Sequence, residues 1–386
     1  MKLSSATDSK RARILISCGE ASGDLYAAEL VEALRSRVPS IEAFGLGGER
    51  ARAAGVDSLV RLEEISVIGL FEVIRKLPAL FGAMRKLCDA AVERRPDVAV
   101  LIDFSGFHLR LAKRLRALRI PVVYYVSPQV WAWRRGRVRT IRKRVDRMLV
   151  ILPFEKELYE KEKVPVRYVG HPLVDLVKAT ADRESFCRRL GLDAKRPVIT
   201  LLPGSRRREV EIHVPVLATA VEELSRRRPE LQFVMSRASS VPVEDMNDLL
   251  GGSVALVHIL NGSVYDGLAH AEAAVVASGT ATVEAALLAA PMVVIYRIGW
   301  PSYVVGRPFV RVPFYSMVNL VSGRGLVSEL IQDGFTASNV VAEVLRLLDP
   351  ETALEMRRGL GEVKERLGGG GASGRAAEAV LEYFEL

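Results

Sequence analysis

Short apolar runs and amphipathic stretches alternate along most of the chain. Residues 13–17, 97–103, 121–126, 148–152, 198–202, 231–236, 255–259 and 275–277 are dense in Val, Ile, Leu and Ala, the signature of strands buried on both faces. Between them apolar positions recur at helical spacing, as in 24–37 and in Phe107, Leu111, Leu115 and Leu118. Strand followed by helix, repeated, predicts an α/β protein with parallel sheets, because a parallel strand needs a crossover to return. Such sheets keep their chemistry in the loops that leave the carboxyl ends of the strands.

Four such loops hold most of the candidate chemistry. In the first, CGEASGD at 18–24, Gly19 and Gly23 let backbone approach a ligand, Glu20 stands at the strand end with Ser22 beside it, and Asp24 reads as an N-cap. In the second, Asp103 closes an apolar strand before FSGF; it is either an acid held at the sheet edge or a cap for the next helix. The third, PGSRRREVEI, sets Gly204 and Ser205 at a strand end with Arg206, whose guanidinium can fork onto phosphate oxygens. Glu209 and Glu211 open the next helix and are placed to hold that arginine.

The fourth loop lies in VVASGTATVEAALLAAPMVVIYR at 275–297. Ser278, Gly279 and Thr280 at a helix start favour an anion such as a diphosphate, and Glu284, about one turn on, is in reach of sugar hydroxyls. The same residues fit a plain helix cap equally well, with Glu284 completing a capping box. GLGG at 45–48 is not a dinucleotide fingerprint.

Two segments speak to surfaces. In 65–87, Val67, Leu70, Phe71, Ile74, Leu77 and Phe81 share a helical face, Ile68, Val73 and Leu80 widen it, and Pro78 breaks or kinks the helix. It reads either as a core helix or as a segment lying in a membrane interface. In the second case, burying a third of those apolar side chains in lipid is worth roughly 4 to 9 kcal/mol before ordering costs. In 134–147, Val138, Ile141, Val145 and Met148 form an inner stripe under eight Arg and Lys residues. Lacking interleaved aromatics, this is a solvated face open to anionic headgroups or phosphate, and nucleic acid is not the expected partner.

Composition changes the picture little. At 386 residues, 49% hydrophobic and 26% charged, the chain suits two globular domains; a net charge of +9 favours an anionic partner without choosing one. Cys18, Cys88 and Cys187 lie too far apart for a disulfide framework or a metal site, and neither a signal peptide nor a membrane span is legible, so a cytoplasmic protein is expected. The expected domains are 11–190, completed by about 352–386, and 191–351, with a charged linker near 177–196.

CGEASGD, SVIGLFEVI, IDFSGFHLRLA, YYVSPQVWAWR, LPFE, VGHPLVD, LLPGSRRREVE, ASGTATVEAAL and NLVSGR, in this order across nearly the whole chain, resemble the lipid-A-disaccharide synthase family. The resemblance implies a glycosyltransferase-B type fold, two Rossmann-like domains facing a cleft, with C-terminal helices crossing back to the first. It implies an inverting transfer from UDP-2,3-diacylglucosamine to the 6-hydroxyl of 2,3-diacylglucosamine 1-phosphate, releasing UDP, with no metal and no cofactor. It also implies peripheral contact with the cytoplasmic face of the inner membrane through the region of Val67 to Phe81, and allows a homodimer. On that basis Asp103 is the expected base, with Glu20, Ser22 and Gly23 on the acceptor side. Gly204, Ser205, Arg206, Glu209, Ser278, Gly279, Thr280 and Glu284 take the UDP-sugar, and Asn319 orients it. A related UDP-sugar transferase or epimerase is the principal rival, since fold and donor loops do not fix the acceptor.

Overall fold

The structure, a computed structural model, describes residues 12–65, 77–131, 136–238, 241–260, 264–299 and 313–384. The chain forms two compact units, 1–172 with 370–386, and 173–369. The first holds strands β1 (Arg13–Cys18), β2 (Glu42–Gly47), β3 (Asp57–Arg61), β4 (Val98–Ile102), β5 (Val122–Tyr125), β6 (Arg147–Val150) and β7 (Val166–Tyr168). They pair in parallel in the order β3-β2-β1-β4-β5-β6-β7. The central strands are apolar throughout because helices cover both faces; every residue of β4 and β5 is buried. Strand order reverses between β1 and β4, whose carboxyl ends lie side by side with Cys18 opposite Ile102.

The second unit repeats the plan with β8 (Val198–Leu202), β9 (Gln232–Ser236), β10 (Val257–Leu260), β11 (Ala273–Ala277), β12 (Met292–Tyr296) and β13 (Ser328–Ile331). Their order is β10-β9-β8-β11-β12-β13, again parallel, reversing between β8 and β11. A reversal in an open parallel sheet parts the two flanking loops at the carboxyl edge and leaves room for a ligand there.

The last helix, Ala372–Leu381, crosses back to the first unit and packs on the helix Ala21–Arg35. Arg375 donates to the carbonyl of Val169 at 2.8 Å, and Arg147 and Arg167 pair with Glu382. The division differs from the expected one at both joints. Residues 173–190 belong to the second unit because Phe186 and Cys187 of the helix Arg183–Leu190 are buried with Val198, Val234 and Leu260. Residues 352–369 stay there too: in Pro350–Arg366, Met356 lies against β12 and Arg357 donates to the carbonyl of Ala289.

Several local expectations are corrected. PFE opens the helix Pro153–Lys161, with proline in the first turn and Glu155 accepting from the Leu152 N–H. Pro78 lies in the described helix Leu77–Arg94, and the residues before Leu77 that would show a break or kink lie outside the described residues. The basic helix is shorter than its stripe, Arg137–Arg144, and Met148 already belongs to β6. Of the apolar arc in 65–87, Val67, Ile68, Leu70, Phe71, Val73 and Ile74 lie outside the described residues. Leu77 and Phe81 are exposed, at 40% and 66%.

Candidate active site

In the first unit the two loops at the β1/β4 reversal carry Glu20 and Asp103. Glu20 is the exposed residue just before the helix Ala21–Arg35, with Ser22 half-buried and Gly23 buried in its first turn. Asp24 does not cap this helix. It is buried inside it, and its carboxylate accepts from the N–H groups of Gly48, Arg50 and Ala51 at 2.6, 3.0 and 3.2 Å, capping the helix Glu49–Ala53 across the sheet edge. Gly19 is glycine for a packing reason rather than to admit a ligand: a Cβ there would stand 2.1 Å from the Cβ of Phe104.

Asp103 and Phe104 both adopt left-handed backbone, φ +55 and +45. The helix Ser105–Ala117 has no side-chain cap, so the capping reading of Asp103 is not the arrangement seen. The carbonyl of Asp103 accepts from His108 Nδ1 at 2.8 Å and from the Tyr124 hydroxyl, while His108 Nε2 faces the Ser17 hydroxyl at 2.8 Å. With Nδ1 donating to a carbonyl, Nε2 must accept, so Ser17 is the donor. Burial, reinforced by the charge of Glu20 and offset by the Phe104 N–H, pushes the Asp103 carboxyl up to about 6. Burial also holds His108 neutral, at about 4. A carboxyl near 6 is ionised at neutral pH yet basic enough to take a proton from an attacking hydroxyl.

Another buried acid, Glu155, lies in the helix Pro153–Lys161. Glu155 accepts from Trp131 Nε1 at 3.2 Å, and burial raises it to about 8. Nearby, Ser127 shares a 2.9 Å hydrogen bond with the Tyr159 hydroxyl. These contacts join SPQVW to LPFE and explain the two motifs as one packed cluster.

In the second unit the loops at the β8/β11 reversal carry the remaining candidates except Asn319, which lies in the helix Met317–Ser322. Gly204 has φ +132 and sits under Glu209, whose Cβ would be 2.7 Å from a Cβ at 204. The Glu209 carboxylate accepts from Ser205 N–H at 3.1 Å and Arg206 N–H at 3.3 Å, with the Arg206 guanidinium 3.5 Å away. The loop thus presents two N–H groups and a guanidinium to one carboxylate, the same donors that suit a phosphate. Behind it, His213 is buried between Pro203 and β12: Nδ1 donates to the Pro203 carbonyl at 2.6 Å, and Nε2 accepts from the Arg297 N–H at 3.0 Å.

The other loop does not form a capping box. Gly279 is the N-cap of the helix Thr280–Leu287 without a side-chain bond, and the Ser278 hydroxyl donates to the Tyr315 carbonyl at 3.0 Å. Glu284 accepts from the Tyr265 hydroxyl at 3.2 Å and is shifted up by burial. Asn319 is buried, with its amide donating to the Val327 carbonyl and to Glu329 and accepting from the Val327 N–H. Glu329 also accepts from the N–H groups of Tyr315 and Ser316 at 2.8 Å, so Asn319 braces the turn that holds Ser278.

Within each unit, then, the loops at one reversal carry the predicted catalytic and donor residues, except Asn319, which lies in the helix Met317–Ser322 and reaches Ser278 through the 315–316 turn. His108, Tyr124, His213, Tyr265 and Glu329 were not foreseen. For the histidines a signal existed: each falls on the apolar stripe of its helix, where a polar ring must find partners. Among the described residues no three His, Cys, Asp or Glu side chains cluster as metal ligands, and no helix is long and apolar enough to cross a membrane.

A family model described as lipid-A-disaccharide synthetase matches residues 14–368. The lipid-A-disaccharide synthase of Myxococcus xanthus (strain DK1622) is 47% identical over 373 residues, 96% of this chain and 97% of that protein. That of Geobacter sulfurreducens (strain ATCC 51573 / DSM 12127 / PCA) is 44% identical over 380 residues, 98% and 99% of the two chains. Among solved structures, UDP-GlcNAc 2-epimerase from Neisseria meningitidis bound to UDP-GlcNAc is similar with a TM-score of 0.66 at 14% identity, covering 96% of this chain and 100% of that one. The calicheamicin glycosyltransferase CalG4 gives 0.60 at 14% identity, covering 97% and 98%. Those two likenesses concern the fold alone.

Proposed function

The chain belongs to the lipid-A-disaccharide synthase family, and from that premise we propose how its residues divide the work. The activity is glycosyl transfer in lipid A biosynthesis: the acceptor 6-hydroxyl of 2,3-diacylglucosamine 1-phosphate displaces UDP from UDP-2,3-diacylglucosamine. The oxygen attacks the anomeric carbon as the bond to the diphosphate breaks, and one proton must leave the hydroxyl. Asp103 takes that proton; the observation that carries this is an acid pushed up to about 6 at the β1/β4 reversal. Glu20 tunes it by charge, with Ser22 and Gly23 beside the acceptor.

On the donor side, Arg206 and the N–H groups of Ser205 and Arg206 take the diphosphate, displacing the Glu209 carboxylate that now occupies them. Ser278, Gly279 and Thr280 supply the neighbouring helix start, and Glu284, oriented by Tyr265, holds the ribose. Asn319 acts through the 315–316 turn. The epimerase reading is weaker, because likeness to epimerases is confined to the fold whereas the synthases match in sequence over almost the whole chain.

Membrane contact belongs to the same reading and is supported by exposed Leu77 and Phe81 at the start of a helix whose outer face carries Arg85 and Lys86. Leu77→Ser with Phe81→Ser should weaken binding to anionic vesicles several-fold with an unchanged melting temperature; unchanged binding would remove these two residues from the contact.

The test of the activity is UDP release by purified protein in detergent with both lipid substrates, each omitted in turn. Release that requires both, with a disaccharide product, is expected. Release from the donor alone, or only with another UDP-sugar, would overturn the substrate assignment.

A further inference from the structure

We propose that His108 is a positioning residue for Asp103: together with Tyr124 it pins the left-handed Asp103–Phe104 peptide and so fixes where the carboxylate stands. The inference rests on the reading of Asp103 as the base.

Two successive non-glycine residues in left-handed backbone persist only when their surroundings over-determine them. Three of the four polar backbone atoms of this turn have protein partners. The Asp103 N–H donates to the Tyr125 carbonyl at 3.1 Å, and the Phe104 carbonyl accepts from the N–H groups of Phe107 and His108 at 3.2 and 3.0 Å. The Asp103 carbonyl takes both the His108 Nδ1–H and the Tyr124 hydroxyl. The Phe104 side chain fills the space that the missing Cβ of Gly19 leaves.

His108 does more than add one bond. Its Nε2 accepts from Ser17 in β1, and β1 runs through Gly19 into Glu20. One fully buried imidazole therefore ties the loop of the base to the strand that carries its acidic neighbour. Both ring nitrogens are engaged inside the protein, so the ring acts through Asp103 rather than on substrate. Among the described residues, the charged and titratable groups around Asp103 are Glu20 from the β1 loop, His108 from its own helix and Tyr124 from β5. Arg137 and Tyr159 act one step further out, on Tyr124.

The test uses the full chain in detergent with both lipid substrates, reading kcat, KM and the pH dependence of kcat/KM. Tyr124→Phe removes one donor without changing volume; His108→Leu removes the other; His108→Asn keeps an amide N–H near the place of Nδ1. We expect kcat to fall about 3- to 10-fold in Tyr124→Phe and about 10- to 100-fold in His108→Leu. Donor KM should stay within about 2-fold, and the acid limb should move to lower pH as the loosened carboxyl gains water. His108→Asn should recover most of the loss. In an Asp103→Asn background, Tyr124→Phe should cost nothing further, because its effect runs through that carboxyl. Should His108→Leu fail to fold, Tyr124→Phe alone and in that background decides the matter. An equal loss with and without Asp103, or a wild-type kcat and acid limb in Tyr124→Phe, overturns the positioning role while leaving the base in place. Near-normal turnover in Asp103→Asn overturns the base and this inference with it.

Discussion

The loop after β4 and the loop after β8 occupy equivalent places, each at the reversal of a parallel sheet, and each is pinned from below by a buried histidine. In both, Nδ1 donates to a loop carbonyl, Asp103 in one and Pro203 in the other, and Nε2 accepts a second hydrogen bond. They differ in what they do with their acid. Asp103 stands in a desolvated edge beside another carboxylate, which raises its affinity for a proton. Glu209 turns into its own loop and satisfies the N–H groups of Ser205 and Arg206. On the proposed reading, one loop keeps an acid to take a proton, and the other keeps a set of donors satisfied until an anion replaces the carboxylate. The same scaffold thus leaves one acid with few donors to hold its charge and surrounds the other with several.

The comparison breaks first at Asp103. Asp103→Asn should lower kcat by about 10²- to 10⁴-fold, read as UDP release. The fold should not suffer. A carboxyl whose folded pKa is raised from 3.8 to about 6 contributes most below pH 4 and loses that contribution as pH rises through 6. The asparagine variant should therefore exceed the parent by up to about 3 kcal/mol at pH 7.5, a margin that closes by pH 4 in thermal melts. Next comes the binding loop: Arg206→Ala should reduce kcat/KM about 10- to 100-fold and weaken inhibition by UDP, with the acid limb of the rate profile unmoved. Glu284→Gln should raise donor KM about 3- to 10-fold with little change in kcat. Gly204→Ala has the smallest effect on chemistry and acts on stability, costing about 1 to 3 kcal/mol in a denaturant melt, since φ +132 and the Glu209 side chain both resist a Cβ.

Strands, sheet type and the four loops were legible because each depends on neighbours in sequence: an apolar run, then a small or polar residue, then a helical stripe. Asp103, Arg206 and Glu284 could be named for the same reason. What escaped depends on partners far apart along the chain. Tyr124 reaches Asp103 from another strand, and Asn319 meets Glu329 only because a turn folds back. Asp24 looked like a cap for its own helix, yet the helix starts three residues earlier, at Ala21, and the carboxylate caps Glu49–Ala53 instead. The first domain joint was misplaced because 173–190 is rich in charge, while the two side chains that decide its allegiance, Phe186 and Cys187, announce themselves only through the core they enter.

The most direct test of the central claim is the pH dependence of kcat/KM for UDP release with both lipid substrates, measured from pH 5 to 9 for the parent chain and for Asp103→Asn. If Asp103 is the base, the parent loses activity below a pH of about 6, where the carboxyl takes up its proton, and the variant is slow throughout without that limb. An Asp103→Asn variant with parental rates and the same acid limb would contradict the account and send the search for the base to another residue at the β1/β4 edge.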